Sequence, residues 1–121
     1  MTPAYIVTVA PCWRNRALLT AQLAETCTER VISAVDAAGA LDWVTFLKAP
    51  PAAIVIDAGQ EITAEDVRDL QAALPDVPMI VIASALWRPS FEPLRSQGVT
   101  LLVRPIRIGE IVQTTARVLA K

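Results

Sequence analysis

Residues 52–57 read Ala-Ala-Ile-Val-Ile-Asp, a short apolar run that ends on a carboxylate and is followed by a looser polar stretch. A near-continuous apolar run of this length is typical of a strand buried on both faces of a parallel sheet. Such a strand carries the side chain at its end to the carboxyl edge of the sheet, where open α/β folds place ligands and chemistry. We therefore predict that Asp57 lies at a functional edge.

Two later apolar runs end on polar side chains in the same way. Ser84 follows the run 79–83, and Arg104 follows the run 101–103. An acid, a hydroxyl and a cation at three successive strand ends indicate a site for a phosphate-type group, since cations and hydrogen-bond donors stabilise phosphoryl oxygens. These three residues are the candidate site of the chain.

Apolar runs alternate with stretches of helical spacing along the whole sequence. The predicted strands are 5–10, 30–35, 52–57, 79–83 and 99–103, and the predicted helices are 14–27, 37–47, 63–74, 89–97 and 108–120. This alternation predicts βαβ units, hence a doubly wound five-stranded parallel sheet with helices on both faces. A length of 121 residues fits one α/β domain that spans residues 1–121.

Composition excludes several classes of function. A net charge of −1 argues against a dedicated nucleic-acid or membrane-surface binder. No apolar run approaches the ~18–20 residues of a membrane span, and the N-terminus lacks the basic start of a signal peptide, so we expect a cytoplasmic protein. The chain has 0 histidines, 2 separated cysteines and neither a dinucleotide nor a phosphate-loop glycine motif, so we predict no metal site and no cofactor.

The order of five βα units, with an acid ending the third strand, resembles the receiver domain of bacterial two-component response regulators. Residues 103–106, Val-Arg-Pro-Ile, are similar to the family's Lys-Pro-hydrophobic signature, with Arg104 at the lysine position. Ser84-Ala85 matches the Thr/Ser-Ala that ends the fourth strand, and Asp57 matches the phosphoacceptor. The resemblance covers nearly the whole chain and implies a flavodoxin-like (βα)5 fold, a role in phosphorelay signalling, and phosphate sensing by Ser84 and Arg104.

The sequence departs from the receiver pattern at the metal site. The family's acidic pair after the first strand, which helps hold Mg²⁺, falls on Ala10 and Pro11, and the aromatic switch position falls on Leu101. Because Mg²⁺ is usually held by one or two carboxylates, its binding is doubtful here. Without the metal, Arg104 is the only predicted cation near Asp57, and the two side chains can pair with each other.

Three hypotheses follow. The first is a degenerate receiver, or pseudo-receiver, that acts as a protein-interaction module in signal transduction or transcription regulation. The alternative is an atypical but functional receiver that a histidine kinase phosphorylates on Asp57. A small flavodoxin-like enzyme or ligand-binding domain is disfavoured by the missing histidine and phosphate loop, so we predict that the chain is not an enzyme.

The expected partners are a signalling protein (a histidine kinase or regulator), an effector domain or a second copy. Residues 85–121 carry a net charge of +4, whereas residues 50–84 carry −5. The family often dimerises through its fourth helix, fifth strand and fifth helix, so the resemblance implies a homodimer with these basic candidate contacts: Arg88, Arg95, Arg107 and Arg117. A solvated helix face is the alternative for these arginines.

Two tryptophans complete the candidate partner surface. Trp13 and Trp87 follow the first and fourth strands, so we predict both near the carboxyl edge. There they would cover the degenerate pocket or form an exposed apolar patch for a partner, with simple loop packing as the alternative. Cys12, predicted at the mouth of the site, is expected to be a small packed side chain, with a redox role as the alternative.

Overall fold

Strands and helices alternate along the chain in the computed structural model, which describes residues 3–120. The strands are β1 Tyr5–Val9, β2 Arg30–Ala34, β3 Ala53–Asp57, β4 Met79–Ser84 and β5 Thr100–Arg104. The α-helices are α1 Trp13–Thr26, α2 Ala37–Leu47, α3 Ala64–Ala73, α4 Arg88–Phe91 and α5 Ile108–Leu119. Residues 1, 2 and 121, which the sequence analysis included in the single domain, lie outside the described residues. Within residues 3–120, no helix combines the length and the apolar character that a membrane crossing requires.

All five strands pair in parallel in one sheet, in the order β2-β1-β3-β4-β5. This arrangement confirms the predicted doubly wound α/β fold. The register aligns Val9 with Ile56, Ile56 with Val81, and Ser84 with Arg104. Because the strands are parallel and in step, the residues that follow β1, β3, β4 and β5 meet at the same carboxyl edge.

The central strands are apolar at successive positions because helices cover both faces of the sheet. In β3, Ile54 and Ile56 belong to a core with α2, α3 and α4, while Val55 faces α1 and α5. All three side chains are 0% exposed. Burying an aliphatic side chain of this size contributes roughly 1.5–3 kcal/mol, so the strand that carries Asp57 is held firmly from both sides.

Local signals explain where the helices begin and break. Thr63 and Asp66 form a reciprocal capping box before α3, with Asp66 N donating to Thr63 Oγ1 at 3.3 Å and Thr63 N donating to Asp66 Oδ2 at 2.9 Å. The fourth helix, predicted as one short element over 89–97, is instead divided into α4 and a 3₁₀ helix, Glu92–Gln97. Pro93 has no N–H for the carbonyl of Pro89, which ends the α-helical pattern.

Candidate functional site

Both oxygens of the Asp57 carboxylate accept hydrogen bonds from side chains. Arg104 Nη2 donates to Oδ1 at 2.9 Å, and Asn15 Nδ2 donates to Oδ2 at 3.1 Å. The Asp57 side chain is 12% exposed and that of Arg104 is 40% exposed. The structure therefore contains the ion pair considered from the sequence, and it adds a third member, Asn15 of α1, that no sequence motif indicated.

The topology explains why an arginine makes this contact. Arg104 ends β5 and Asp57 ends β3, so the whole width of β4 separates their backbones. The register pairs Asp57 with Ile82 and Arg104 with Ser84, two residues further along β4. A long side chain with a planar fork of donors spans this gap and meets the carboxylate with a charge-assisted hydrogen bond.

The adjoining end of β1 carries no acidic side chain. Ala10 follows Val9, which pairs with Ile56, so Ala10 lies beside Asp57 along the edge. Arg16 Nη1 donates to the backbone oxygens of Ala10 at 2.7 Å and of Pro11 at 3.4 Å. A guanidinium of α1 thus binds the carbonyls at the positions where the receiver pattern has its acidic pair.

This donor set does not fit Mg²⁺. The ion prefers near-octahedral oxygen ligation with one or two carboxylates. Asp57 supplies one carboxylate, whose oxygens each accept a hydrogen bond within the chain, and Ala10 and Pro11 supply no side-chain oxygen. No group of three or more metal-ligating side chains occurs within the part of the chain that the structure describes.

Ser84 and Leu101, the two remaining switch positions of the receiver pattern, differ in their surroundings. Ser84 is half-buried at the end of β4, beside Arg104 in the register, and its carbonyl accepts the Trp87 N–H at 3.1 Å. Across residues 3–120, its hydroxyl makes no hydrogen bond to the protein. Leu101, at the aromatic switch position, is 3% exposed and belongs to the apolar core. A buried leucine offers no ring that turns outward.

Trp13 and Trp87 do not cover the Asp57 pair. Trp13 is the first residue of α1, is 67% exposed, and lines a shallow groove towards Ser33 of β2. Trp87 is half-buried against the core beside Gly59, where an added Cβ would lie 3.7 Å from its ring. Trp13 does not cover the pair because α1 begins at that residue and its side chain lies towards β2. Trp13 is an exposed apolar side chain, while Trp87 packs against the core.

Two of the four candidate arginines are paired within their own segment. Arg88 Nε and Arg95 Nε contact the two carboxylate oxygens of Glu92 at 3.0 and 2.7 Å. The hydrogen bond from Arg88 lowers the pKa of Glu92. Arg117 Nη2 donates to Thr114 Oγ1 at 3.2 Å, and Arg107 is the exposed N-cap residue of α5. Within residues 3–120, Arg107 and Arg117 are thus the two candidate arginines that form no ion pair with a carboxylate.

The two thiols occupy different environments. Cys12 is exposed at the N-cap of α1, where the backbone N–H groups of Asn15 and then Arg14 lower its pKa. Its side chain makes no capping hydrogen bond to α1. Cys27 is partly buried, and burial raises its pKa. Cys12 is thus more exposed than the packed side chain that we expected.

A cleft of about 280 Å³ opens next to the Asp57–Arg104 pair. Its polar end consists of Asn15, Asp57 and Arg104. Its walls are aliphatic and come from α1, from β4, from the segment leading into α5 and from α5 itself: Leu18, Leu19, Ile82, Ile106, Ile108 and Ile111. The cleft combines charged and amide groups at one end with a hydrocarbon lining, the usual composition of small-molecule sites.

Similar folds occur among solved structures, although no family model and no curated protein matches the sequence. A response regulator receiver domain protein from Clostridium thermocellum superposes with a TM-score of 0.81 at 12% identity, covering 97% of this chain and 94% of that chain. The receiver domain of NtrX from Brucella abortus gives 0.81 at 17% identity, covering 96% of this chain and 98% of that chain. The chain has the receiver fold.

Other receivers extend this likeness. The chemotaxis protein CheY4 of Vibrio cholerae superposes with a TM-score of 0.76 at 19% identity, covering 96% of this chain and 98% of that chain. A longer structure of Brucella abortus NtrX, in complex with ATP, gives 0.80 at 18% identity, and the match covers 99% of this chain but only 27% of that one. The receiver fold thus occurs in these structures both alone and as part of a longer chain.

Proposed function

We propose that this receiver-fold chain is a degenerate receiver that acts as a protein-interaction module in signal transduction or transcription regulation, without Mg²⁺-dependent phosphorylation. The observation that supports this function is that both oxygens of the Asp57 carboxylate are hydrogen-bonded within the chain, which we call the closed site. One oxygen is held by Arg104 at 2.9 Å and the other by Asn15 at 3.1 Å. The chain itself satisfies the group that would otherwise receive a phosphoryl group.

The chemistry of phosphoryl transfer makes this closure important. Transfer needs an oxygen in line with the leaving group and cations that stabilise the charge on the phosphoryl oxygens. Arg104 neutralises the carboxylate before any phosphoryl donor arrives, and Arg16 holds the carbonyls at the end of β1. An incoming donor would have to break the ion pair and would gain no metal bridge from the residues present.

The exposed arginines of the α5 region and the exposed apolar side chains of α1 are the proposed partner contacts. Arg107 and Arg117 provide positive charge on α5, and the exposed side chains of Trp13 and Leu18 provide apolar area on α1. Aromatic and arginine side chains dominate the energetics of protein interfaces. We propose a signalling protein, an effector domain or a second copy of this chain as the partner, in a cytoplasmic setting and without direct contact to nucleic acid.

A phosphoryl mimic tests the closed site. The ¹⁵N-labelled protein is titrated with Mg²⁺ and beryllofluoride, and its amide resonances are compared with those of an Asp57→Asn control. We expect no saturable shifts at Asp57, Ser84 or Arg104 in the unmodified chain. Saturable shifts that disappear in the control would overturn the proposal and establish the alternative, an atypical phosphoacceptor receiver.

Charge reversal tests the proposed homodimer. If the basic residues of α5 contact a second copy, the double variant Arg107→Glu/Arg117→Glu should move the chain from dimer to monomer in sedimentation velocity. The matched control is Arg68→Glu on α3, which covers the other face of the sheet and whose one ion pair within residues 3–120 is with Glu65. A mass that is unchanged in the double variant would exclude this surface as the dimer contact.

A further inference from the structure

The cleft beside Asp57 has an aliphatic lining that the protein leaves partly uncovered. Leu19, Ile82 and Ile111 are at most 4% exposed, whereas Ile106 and Ile108 are half-buried and Leu18 is 52% exposed. An exposed leucine alone is ordinary, but here it is one of six aliphatic side chains that line the cleft. Apolar area of this shape gains free energy when a hydrocarbon group displaces its water.

The polar end of the cleft offers the N–H donors of Arg104. A guanidinium has five N–H donors. Arg104 uses Nη2 for Asp57 Oδ1, and its remaining N–H groups make no hydrogen bond to protein atoms within residues 3–120. Each Asp57 oxygen already accepts one hydrogen bond, from Arg104 or from Asn15. An acceptor group matches the remaining donors of Arg104, and a carboxylate pairs best with a guanidinium fork.

The volume limits the size of the occupant. About 280 Å³ lies just below the roughly 300–1,000 Å³ of drug-sized pockets. At about 30 Å³ per water molecule, the space corresponds to roughly nine heavy atoms. A nucleotide is too large for it, and inorganic phosphate would leave the aliphatic walls uncovered. A straight-chain acid of six carbons fills both the apolar part and the polar end.

We propose that this cleft binds a short-chain aliphatic carboxylate, with the hydrocarbon between Leu18 and Ile106 and the carboxylate on the free donors of Arg104. The inference goes beyond the proposed interaction module and rests on it only in taking Asp57 as unphosphorylated and paired. A ligand at this position would lie between α1 and α5, the two helices that carry the proposed partner contacts. The chain would thus present a different surface to its partner when the acid is bound.

A chain-length series tests the hydrocarbon contact. The protein is titrated with butyrate, pentanoate and hexanoate, and amide shifts are followed at Leu18, Ile106 and Ile108. Each added methylene contributes about 0.8 kcal/mol when buried, which is roughly fourfold in affinity. We expect the affinity to rise by about that factor per carbon up to hexanoate. Absence of saturable shifts with hexanoate would overturn the proposal and leave the cleft as a seat for a partner's side chain.

The polar contact is tested by comparing head groups. Hexanoate should bind more tightly than 1-hexanol and hexylammonium in the unmodified chain, and the preference over hexanol should disappear in Arg104→Gln. The ratio of two affinities within one variant does not depend on how stable that variant is. Equal binding of hexanoate and hexanol to the unmodified chain, or tighter binding of hexylammonium, would contradict recognition by Arg104.

A charge placed in the wall locates the ligand. Ile106→Glu puts a like charge against the bound acid and should abolish the hexanoate shifts. The matched control is Val35→Glu, an exposed aliphatic site after β2 at the opposite edge of the sheet. Equal losses in both variants would overturn the assignment to this cleft. The beryllofluoride titration distinguishes failure of this proposal from failure of the proposed function. If hexanoate produces no shifts and beryllofluoride shifts the Asp57 resonance, both proposals are refuted. If neither compound produces shifts, only the ligand site is refuted.

Discussion

The two halves of the carboxyl edge present different oxygens, a side-chain carboxylate on one and backbone carbonyls on the other, and an arginine binds the oxygens of each. On the β3–β5 half, a negative side chain, Asp57, is neutralised by Arg104. On the β1 half, Ala10 and Pro11 have no polar side chain, and their backbone oxygens accept from Arg16. In each half an arginine of the same chain binds the available oxygens. On the β1 half, a guanidinium of the chain thus lies where the receiver resemblance implies an acidic pair that helps hold Mg²⁺.

The largest expected effect comes from removing the cation of the β3–β5 half. Arg104→Ala leaves Asp57, which is 12% exposed, without its charge partner. Removing one partner of a buried ion pair costs about 3–5 kcal/mol, whereas a surface ion pair contributes about 0–1 kcal/mol. Because this pair is partly exposed, we expect an intermediate loss of about 2 kcal/mol in the free energy of unfolding. Asp57→Asn should cost less, because Arg104 is 40% exposed and remains hydrated. Urea unfolding of both variants measures the difference.

A double-mutant cycle isolates the pair itself. The variant Arg104→Ala/Asp57→Asn should be more stable than the sum of the two single losses predicts, by about 1 kcal/mol, since the second change removes the orphaned carboxylate. Strict additivity of the three unfolding free energies would mean that the 2.9 Å contact contributes nothing to stability.

The corresponding test on the β1 half has a somewhat smaller expected effect. Arg16→Ala removes a charged donor from the carbonyl of Ala10, a contact of 2.7 Å, and should cost about 1.5 kcal/mol. Arg14→Ala is the matched control, because Arg14 is exposed on the same helix and lies 5.7 Å from the ring centroid of Trp13. We expect the control to stay within about 0.5 kcal/mol of the unmodified chain. Similar losses in both variants would show that Arg16 has no special role in this half.

The sequence predicts the fold well because burial on both faces makes each central strand continuously apolar. Three predicted boundaries agree with the structure at single-residue precision. They are the start of the second strand, the end of the third strand and the end of the second helix. The fourth helix, whose Pro93 predicts a weak point, is divided there, while Pro89 lies in the first turn, where proline is tolerated. Hydrophobic period and proline position are local properties, so local reasoning recovers most of the architecture.

The candidate site is recovered only in part. Asp57 and Arg104 were found because each ends an apolar run, and that position in a parallel sheet fixes where the backbone delivers them. Asn15 and Arg16 lie inside a helix, and their contacts depend on how α1 rotates and packs against β1, which no short pattern encodes. Trp13 was placed near the edge by order alone, but its direction follows from the same helix rotation.

The smallest expected effect links the two halves. The negative charge of Asp57 raises the pKa of the Cys12 thiol, although the backbone N–H groups of Asn15 and Arg14 act more strongly in the opposite direction. Asp57→Asn removes the raising charge and leaves Arg104 unpaired, and both changes favour the thiolate. The pKa of Cys12 should therefore fall further below that of an ordinary thiol, about 8.5.

The thiolate fraction of Cys12 is measured by the pH dependence of its alkylation with iodoacetamide, in a Cys27→Ala background that leaves a single thiol. The midpoint of the rate profile should move to lower pH in Asp57→Asn. Asp42→Asn on α2 is the control, because Asp42 is not among the charges that act on Cys12. A midpoint that stays fixed or rises in Asp57→Asn would mean that Asp57 and the β1 half do not interact electrostatically. A shift in the expected direction would show that the charge of Asp57 acts on Cys12 across the edge.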